Sequence, residues 1–272
     1  MMRLHHERRD FMTTVRDIEK TLFGWAPREL AMEWDNVGLL AGDPEASVTH
    51  VLVALDITED VVEEAIQRGA DLIVAHHPLM NSNWTPVQSI RTDDRLGRIL
   101  TALIRHGISA IFMHTNLDAA EGGVNDVLAE KLGLSETFSL SDEKIGRIGT
   151  LKCEIPLVDF TRFVVKSLGC NGLRYTDRGK PVHRVAVGGG ACGEYIGRAI
   201  ANGCDTFVTS DLKYHQFLDA TEINLIDAGH FPTENVVCGA VIERLSAAYP
   251  DVTFLSTTCH SGEVIQYCMK EN

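Results

Sequence analysis

Three short motifs in this 272-residue chain join histidine to histidine or carboxylate, and each follows an apolar run. His76-His77-Pro78 comes directly after DLIVA, His114-Thr-Asn-Leu-Asp118 after IFM, and His230-Phe-Pro-Thr-Glu234 after INLIDAG. Imidazole and carboxylate are ordinary ligands of zinc, manganese, iron and nickel. Adjacent residues of an extended chain point opposite ways, so His76 and His77 suit two different ions better than one shared ion. The i, i+4 spacing of His114 and Asp118 brings both to one side of a helical turn, or fits a compact loop. Gly229 permits a sharp exit from its strand, and Pro232 fits the first turn of a helix that includes Glu234. Singly, each motif has a bland reading: an exposed polar turn, a turn cap, an N-terminal capping box. Three together, each beyond the end of a strand, point to a metal site, because open α/β sheets place ligands there.

Counting ligands sets the stoichiometry. His76, His77, Asp118, His230 and Glu234 supply five side chains, and His114 could add a sixth. A tetrahedral ion takes about four ligands, and a catalytic one about three from the protein. Five or six therefore fit two divalent ions, roughly 3.5–4 Å apart and bridged by a carboxylate. Glu234, with the longer reach, is the bridge candidate. The ions could be zinc, manganese, iron or nickel.

A second motif competes for attention. Gly188-Gly189-Gly190-Ala191-Cys192-Gly193 satisfies G-x-G-x-x-G after the strand HRVAV and before a helix, the context of a phosphate cradle. No ribose-binding acid ends a following strand except Asp211, so a dinucleotide site is the weaker reading. A loop approaching a metal-bound ligand is stronger than that, and a plain glycine-rich turn between strand and helix is the common bland reading. His215, in Asp211-Leu-Lys-Tyr-His215, could line the cleft or simply begin a helix. Lys213 is a candidate anion contact. His114 and His215 are the candidates for a catalytic acid. His5 and His6 fall in an N-terminal tail, and His50 and His106 flank elements.

The elements that must position these groups alternate. After a helix around Phe11–Phe23, strands are predicted at Val51–Ile57, Asp71–Ala75 and Ile108–Met113, with helices at Asp60–Arg68, Arg95–Arg105 and Val124–Leu132. From about Gly146 the pattern restarts, with strands at Ile148–Ile155, His183–Val187, Thr206–Thr209, Ile223–Asp227 and Val252–Ser256. The second set of helices is predicted at Asp159–Ser167, Tyr195–Ala201 and Asn235–Ala247. Apolar runs joined by helical patterns imply βαβ units. The expected fold is α/β: two similar lobes with mainly parallel sheets around a shared metal cleft. The first lobe spans 1–140 with the N-terminal helix and the second 145–272. Ala65-Ile66-x-x-Gly69-x-Asp71 recurs as Ala199-Ile200-x-x-Gly203-x-Asp205, which suggests a duplication whose ligands meet at one site.

Bulk properties narrow the partners. A net charge of −13, from 25 basic and 38 acidic residues, argues against nucleic acid or an anionic membrane as partner. A small anionic ligand remains compatible, since bound metal supplies local positive charge. Seven scattered cysteines without a C-x-x-C pair read as reduced thiols of a cytoplasmic protein, most of them small core residues. There is no signal-like or membrane-length apolar run.

Several segments taken together resemble a known family. They are Trp34-Asp35-Asn36-Val37-Gly38-Leu39, the strand ending in His76-His77-Pro78-Leu79, His114-Thr-Asn-Leu-Asp118, Asp211-Leu-Lys-Tyr-His215 and Asp227-Ala-Gly-His230-x-x-x-Glu234. In that order, over about residues 16–255, they are similar to the Nif-three-like family, whose bacterial members are often named GTP cyclohydrolase 1 type 2 homologues. The resemblance implies a dinuclear metal centre between two lobes and a toroidal homohexamer with the centres facing an internal cavity. Its metal positions fall on His76, His77, Asp118, His230 and Glu234, with His114 either a ligand or just behind one. The inserted middle domain of longer members is absent, and the ending CHSGEVIQYCMKEN departs from the family's longer one. The function implied is metal-dependent hydrolysis of a nucleotide-like substrate. The alternative is a ring protein that stores or delivers metal without catalysis.

Overall fold

The computed structural model describes residues 12–80, 86–260 and 262–268, so His5 and His6 lie outside the described residues. Its strands in chain order are β1 (Gly38–Ala41), β2 (His50–Ala54), β3 (Leu72–Ala75), β4 (Ser109–Phe112), β5 (Ser135–Ser139), β6 (Arg147–Ile155), β7 (Arg174–Thr176), β8 (Val182–Val187), β9 (Thr206–Thr209), β10 (Asn224–Asp227) and β11 (Thr253–Ser256). They form two sheets, ordered β1-β4-β3-β2-β11 and β5-β6-β8-β9-β10-β7. The first is parallel except for β1. The second is parallel across β8-β9-β10 and antiparallel on either side. The reason for the β5–β6 pairing is local: a short reverse connection through 140–146 can join only antiparallel neighbours.

Strand side chains alternate between two cores in each sheet, as the pleat requires. In the first sheet, Val51, Val53, Leu72, Val74 and Ile111 pack with helices Val15–Trp25 and Val236–Ala248. Leu52, Ala54, Ile73, Ala75 and Phe112 face helices Glu59–Gln67 and Arg95–His106. In the second, Val185, Val187, Val208 and Ile226 meet Phe160 and Val164 of helix Leu157–Leu168, together with Leu128 and Leu132. The N-terminal helix begins where a capping box closes it: Thr14 accepts from the amide of Asp17, whose carboxylate returns to Thr14.

The internal repeat has a physical role. Asp71 accepts from the amides of Thr49 and His50 at the start of β2, and Asp205 accepts from those of His183 and Arg184 at the start of β8. Gly69 and Gly203 take the left-handed conformation (φ +64° and +72°) that ends the preceding helix. Each repeat thus turns a helix into a strand and pins the neighbouring strand to it.

Elements are exchanged across 140–145. β11, expected in the second lobe, pairs in parallel with β2 at the edge of the first sheet, and helix Val236–Ala248 packs on that same sheet. In exchange, helix Val124–Lys131 lies against the second sheet, and β5 joins it. The edge strands β1, β5 and β7 have no counterpart among the expected elements. Among the described residues, no helix is long and apolar enough to cross a membrane.

Candidate metal centre

The three motifs leave the C-terminal ends of β3, β4 and β10. After β3 the amides of both His76 and His77 donate to the carbonyl of Leu55, at 3.1 and 3.0 Å, which holds the two rings beside the sheet's edge. His114 precedes the short helix Thr115–Ala119, which carries Asp118. Gly229, at φ +88°, turns the chain into the helix His230–Glu234, and four residues on Glu234 faces inward. The result is one cluster drawn from both sheets. His76, Glu234 and Asp118 are deeply buried, 2, 4 and 8 % exposed.

Glu234 stands in the middle. Its Oε2 lies 2.9 Å from Nε2 of both His77 and His230, while its Oε1 is 3.9 Å from Nε2 of His76. His76 Nε2 is in turn 3.7 Å from Asp118. His77, His230 and Glu234 form one group that could hold a metal ion, and His76, Asp118 and Glu234 form another. His114 shares a third with His76 and His77.

All four imidazoles are held from behind. Nδ1 of His77 donates to Asp56 at 2.7 Å, that of His114 to Asp35 at 2.9 Å, and that of His230 to Asp211 at 2.6 Å. His76 Nδ1 donates to the carbonyl of Met113 at 2.8 Å. Each ring therefore offers Nε2 to the cluster, the arrangement that fixes the tautomer of a metal-binding histidine. Asp211 reaches its place from a left-handed backbone (φ +55°), which aspartate tolerates better than most residues.

Protonation follows from these contacts. Burial alone would lower His77 and His230, but their bonds to Asp56 or Asp211 and to Glu234 outweigh it and raise them to about 10 and about 11. Burial lowers His76 to about 3, and burial together with the charge of Glu234 lifts Asp118 well above the usual carboxylate range. His76 Nε2 and Asp118 Oδ1 are buried without any hydrogen-bond partner. An unpaired buried acceptor is costly, and a cation placed between these two would satisfy both. The donor set of imidazoles and carboxylates fits a divalent transition ion.

The glycine turn is the wall of this site. A Cβ at Gly190 would sit 2.1 Å from Oε1 of Glu234, and one at Gly189 would strike Val124 at 2.7 Å. Glycine is required because the backbone passes against the central carboxylate. Four of the turn's amides are already engaged, Gly188 with the carbonyl of Val208, Gly189 with Asn125, Gly190 with Thr233 and Cys192 with Thr209. These are not free to cradle a phosphate. A cavity of about 580 Å³ opens beside the cluster, walled by Met32, Trp34, Ile145, Ala191, Cys192 and Tyr195. Lys213 and His215 are not among the residues that line it; both are exposed, and His215 stacks edge-on against Tyr214. His215 stands in the first turn of helix Tyr214–Asp219, the helix-start place that is one of its two readings.

Motif spacing does not single out Asp56, and Asp35 stands out only within the Trp34–Leu39 motif. A carboxylate one or two residues beyond an apolar strand, as in VLVALD, is the signal that could have found Asp56.

Known proteins resemble this chain in sequence and in fold. A "GTP cyclohydrolase 1 type 2 homolog" of Clostridium perfringens is 36% identical over 251 residues, covering 89% of this chain and 95% of that protein. One of the same description from Streptomyces coelicolor is 34% identical over 237 residues, 82% of each chain. A solved Bacillus cereus protein, described as related to NIF3, superposes with a TM-score of 0.86 at 27% identity, covering 94% of this chain and all of the other. Over residues 13–261 the chain matches, and it belongs to, the family described as Duf34/NIF3 (NGG1p interacting factor 3).

Proposed function

We propose that this protein binds two divalent ions per chain and uses them to hydrolyse a nucleotide-like substrate. The observation that carries the metal reading is four imidazoles each anchored through Nδ1, three of which, His76, His77 and His230, bring Nε2 within 4 Å of the buried Glu234 carboxylate. One ion would be held by His76, Asp118 and Glu234, the other by His77, His230 and Glu234, with His114 beside them. When bound, such a pair lowers the pKa of a water and polarises the substrate. Asp35, Asp56 and Asp211 hold the rings in register. Met32, Trp34, Ile145 and Tyr195 shape a cavity whose volume would suit a small organic ligand. The nucleotide-like substrate rests on the name borne by the relatives. With Lys213 outside the cavity lining, recognition of an anionic group would fall to the ions themselves.

A second reading, metal storage or delivery without catalysis, is favoured by one observation. Beyond the cluster, the titratable side chains lining the cavity are Cys192, Glu194 and Tyr195. Burial raises the Cys192 thiol well above its usual value and Tyr195 to about 12, so both stay neutral. Elemental analysis after gentle purification should find about two ions per chain. Wild type and His77→Ala, loaded with Mn, Zn, Fe or Ni, are then assayed against GTP and generic phosphoesters. Turnover in wild type that is lost in the variant supports the hydrolase. No turnover with any metal leaves metal handling as the function, and one ion or fewer under excess metal removes the dinuclear centre.

A further inference from the structure

The segment that follows β11 reaches the metal cluster by a route outside the ligands. Because β11 and β2 are parallel neighbours, with Ser256 opposite Val53, both strands end at the same edge of the sheet. Beyond that edge β2 leads to Asp56, and β11 leads to Thr257, Thr258, Cys259 and His260. Glu64, 5 % exposed and within helix Glu59–Gln67, gathers this turn. Its carboxylate accepts from Thr257 Oγ1, from the amide and hydroxyl of Thr258, and from the amide of Cys259, at 2.5 to 3.2 Å. So held, His260 donates from Nε2 to Asp56 Oδ2 at 2.8 Å, while Asp56 Oδ1 receives Nδ1 of His77 at 2.7 Å. The His260 ring also stands edge-on to Phe231, the residue after His230, with centroids 4.9 Å apart.

We infer that His260 is a positioning residue for the ion held by His77 and His230: it fixes Asp56, and through Asp56 the His77 ring. This rests on the two-ion reading above. Without His260, Asp56 loses a partner on its second oxygen and is free to swing into solvent, since its side chain is 37 % exposed. The effect is confined to one ion. His76 takes its orientation from the backbone carbonyl of Met113, which owes nothing to the C-terminal segment.

The test is a chelator-competition titration with Zn in two backgrounds that leave one ion each. In Asp118→Asn protein the remaining ion is the one at His77 and His230; in His230→Ala protein it is the one at His76 and Asp118. His260→Phe keeps a ring against Phe231 but cannot donate. It should lower Zn affinity about tenfold in the first background, the low end for an outer partner of a metal ligand, and change it less than about twofold in the second. His260→Gln, which carries an amide N–H to similar reach, should recover most of the loss. Thermal melts of the metal-free proteins check folding, and His260→Asn, too short to reach Asp56, replaces the phenylalanine variant if that one unfolds. An unchanged affinity in the first background overturns the inference, as does an equal fall in both or a failure of glutamine to restore binding. Wild type that binds no Zn would instead overturn the metal reading itself, and this inference with it.

Discussion

Glu234 presents its two oxygens to different neighbours, Oε2 to His77 and His230 and Oε1 toward His76. Asp118 approaches only the His76 side. A bridging carboxylate holds two ions at once, so its loss costs more than that of a terminal one. Elemental analysis should therefore find that Glu234→Gln removes more metal than Asp118→Asn. Full occupancy in the glutamine variant, with both ions lost from the asparagine one, would move the bridge to Asp118.

Two connections between elements decide whether the site can exist. The turn before helix Ile196–Ala201 passes Glu234 so closely that Gly190, at φ +64°, has no room for a side chain. Gly190→Ala should destabilise the fold by about 2 kcal/mol, from the left-handed backbone and the contact with Glu234, and should lower metal content. Gly197→Ala, where nothing lies within 4 Å, should do neither. Melting curves beside elemental analysis check the pair, and equal behaviour of the two variants would count against a steric role for Gly190. The second connection is Glu64. Burial alone would raise its carboxyl, but the bonds from Thr257 and Thr258 prevail and hold it at about 2, against the usual 4.5. A carboxyl with a depressed folded value stabilises the protein above its usual pKa and loses that contribution as pH falls through the folded one. Glu64→Gln should cost about 2 kcal/mol at pH 7. The gap to wild type should close between about pH 4.5 and pH 2 in denaturant titrations. A gap that is constant over that range would mean that the ionised form contributes nothing special.

For the whole molecule, the two sheets hold each other through exchanged elements, helix Val124–Lys131 against one and helix Val236–Ala248 with β11 against the other. The cluster lies where they meet, so opening the molecule would separate His76 and His77 from Glu234. On the outside, helix Tyr214–Asp219 buries none of its residues and exposes Tyr214 and Leu218 at 71 and 52 %. An apolar surface of this kind fits contact between copies, and soluble homo-oligomers close symmetrically. Light scattering should give the mass of a closed ring, six chains on the family resemblance. The mass of one chain would end that expectation.

The sequence by itself determined the elements that carry the chemistry. Its apolar runs placed β3, β4, β9 and β10 to within a residue at each end, and the five ligand candidates follow from what stands just beyond those runs. Burial against near neighbours leaves a local periodicity, and local periodicity can be read from one chain. What only the tertiary structure decided is everything set by pairing across long separations. The edge strands β5 and β7 are short and β5 is exposed along its whole length, so no apolar run announces them, while β1 is only the four residues GLLA, short for a strand signal. β11 was legible as a strand but not as a neighbour of β2, because a strand's own residues do not encode its partner. The carboxylates behind the histidines stand 19 to 79 residues away from them, and the glycine turn's purpose is a contact with Glu234. Those distances close only when two sheets fold against each other.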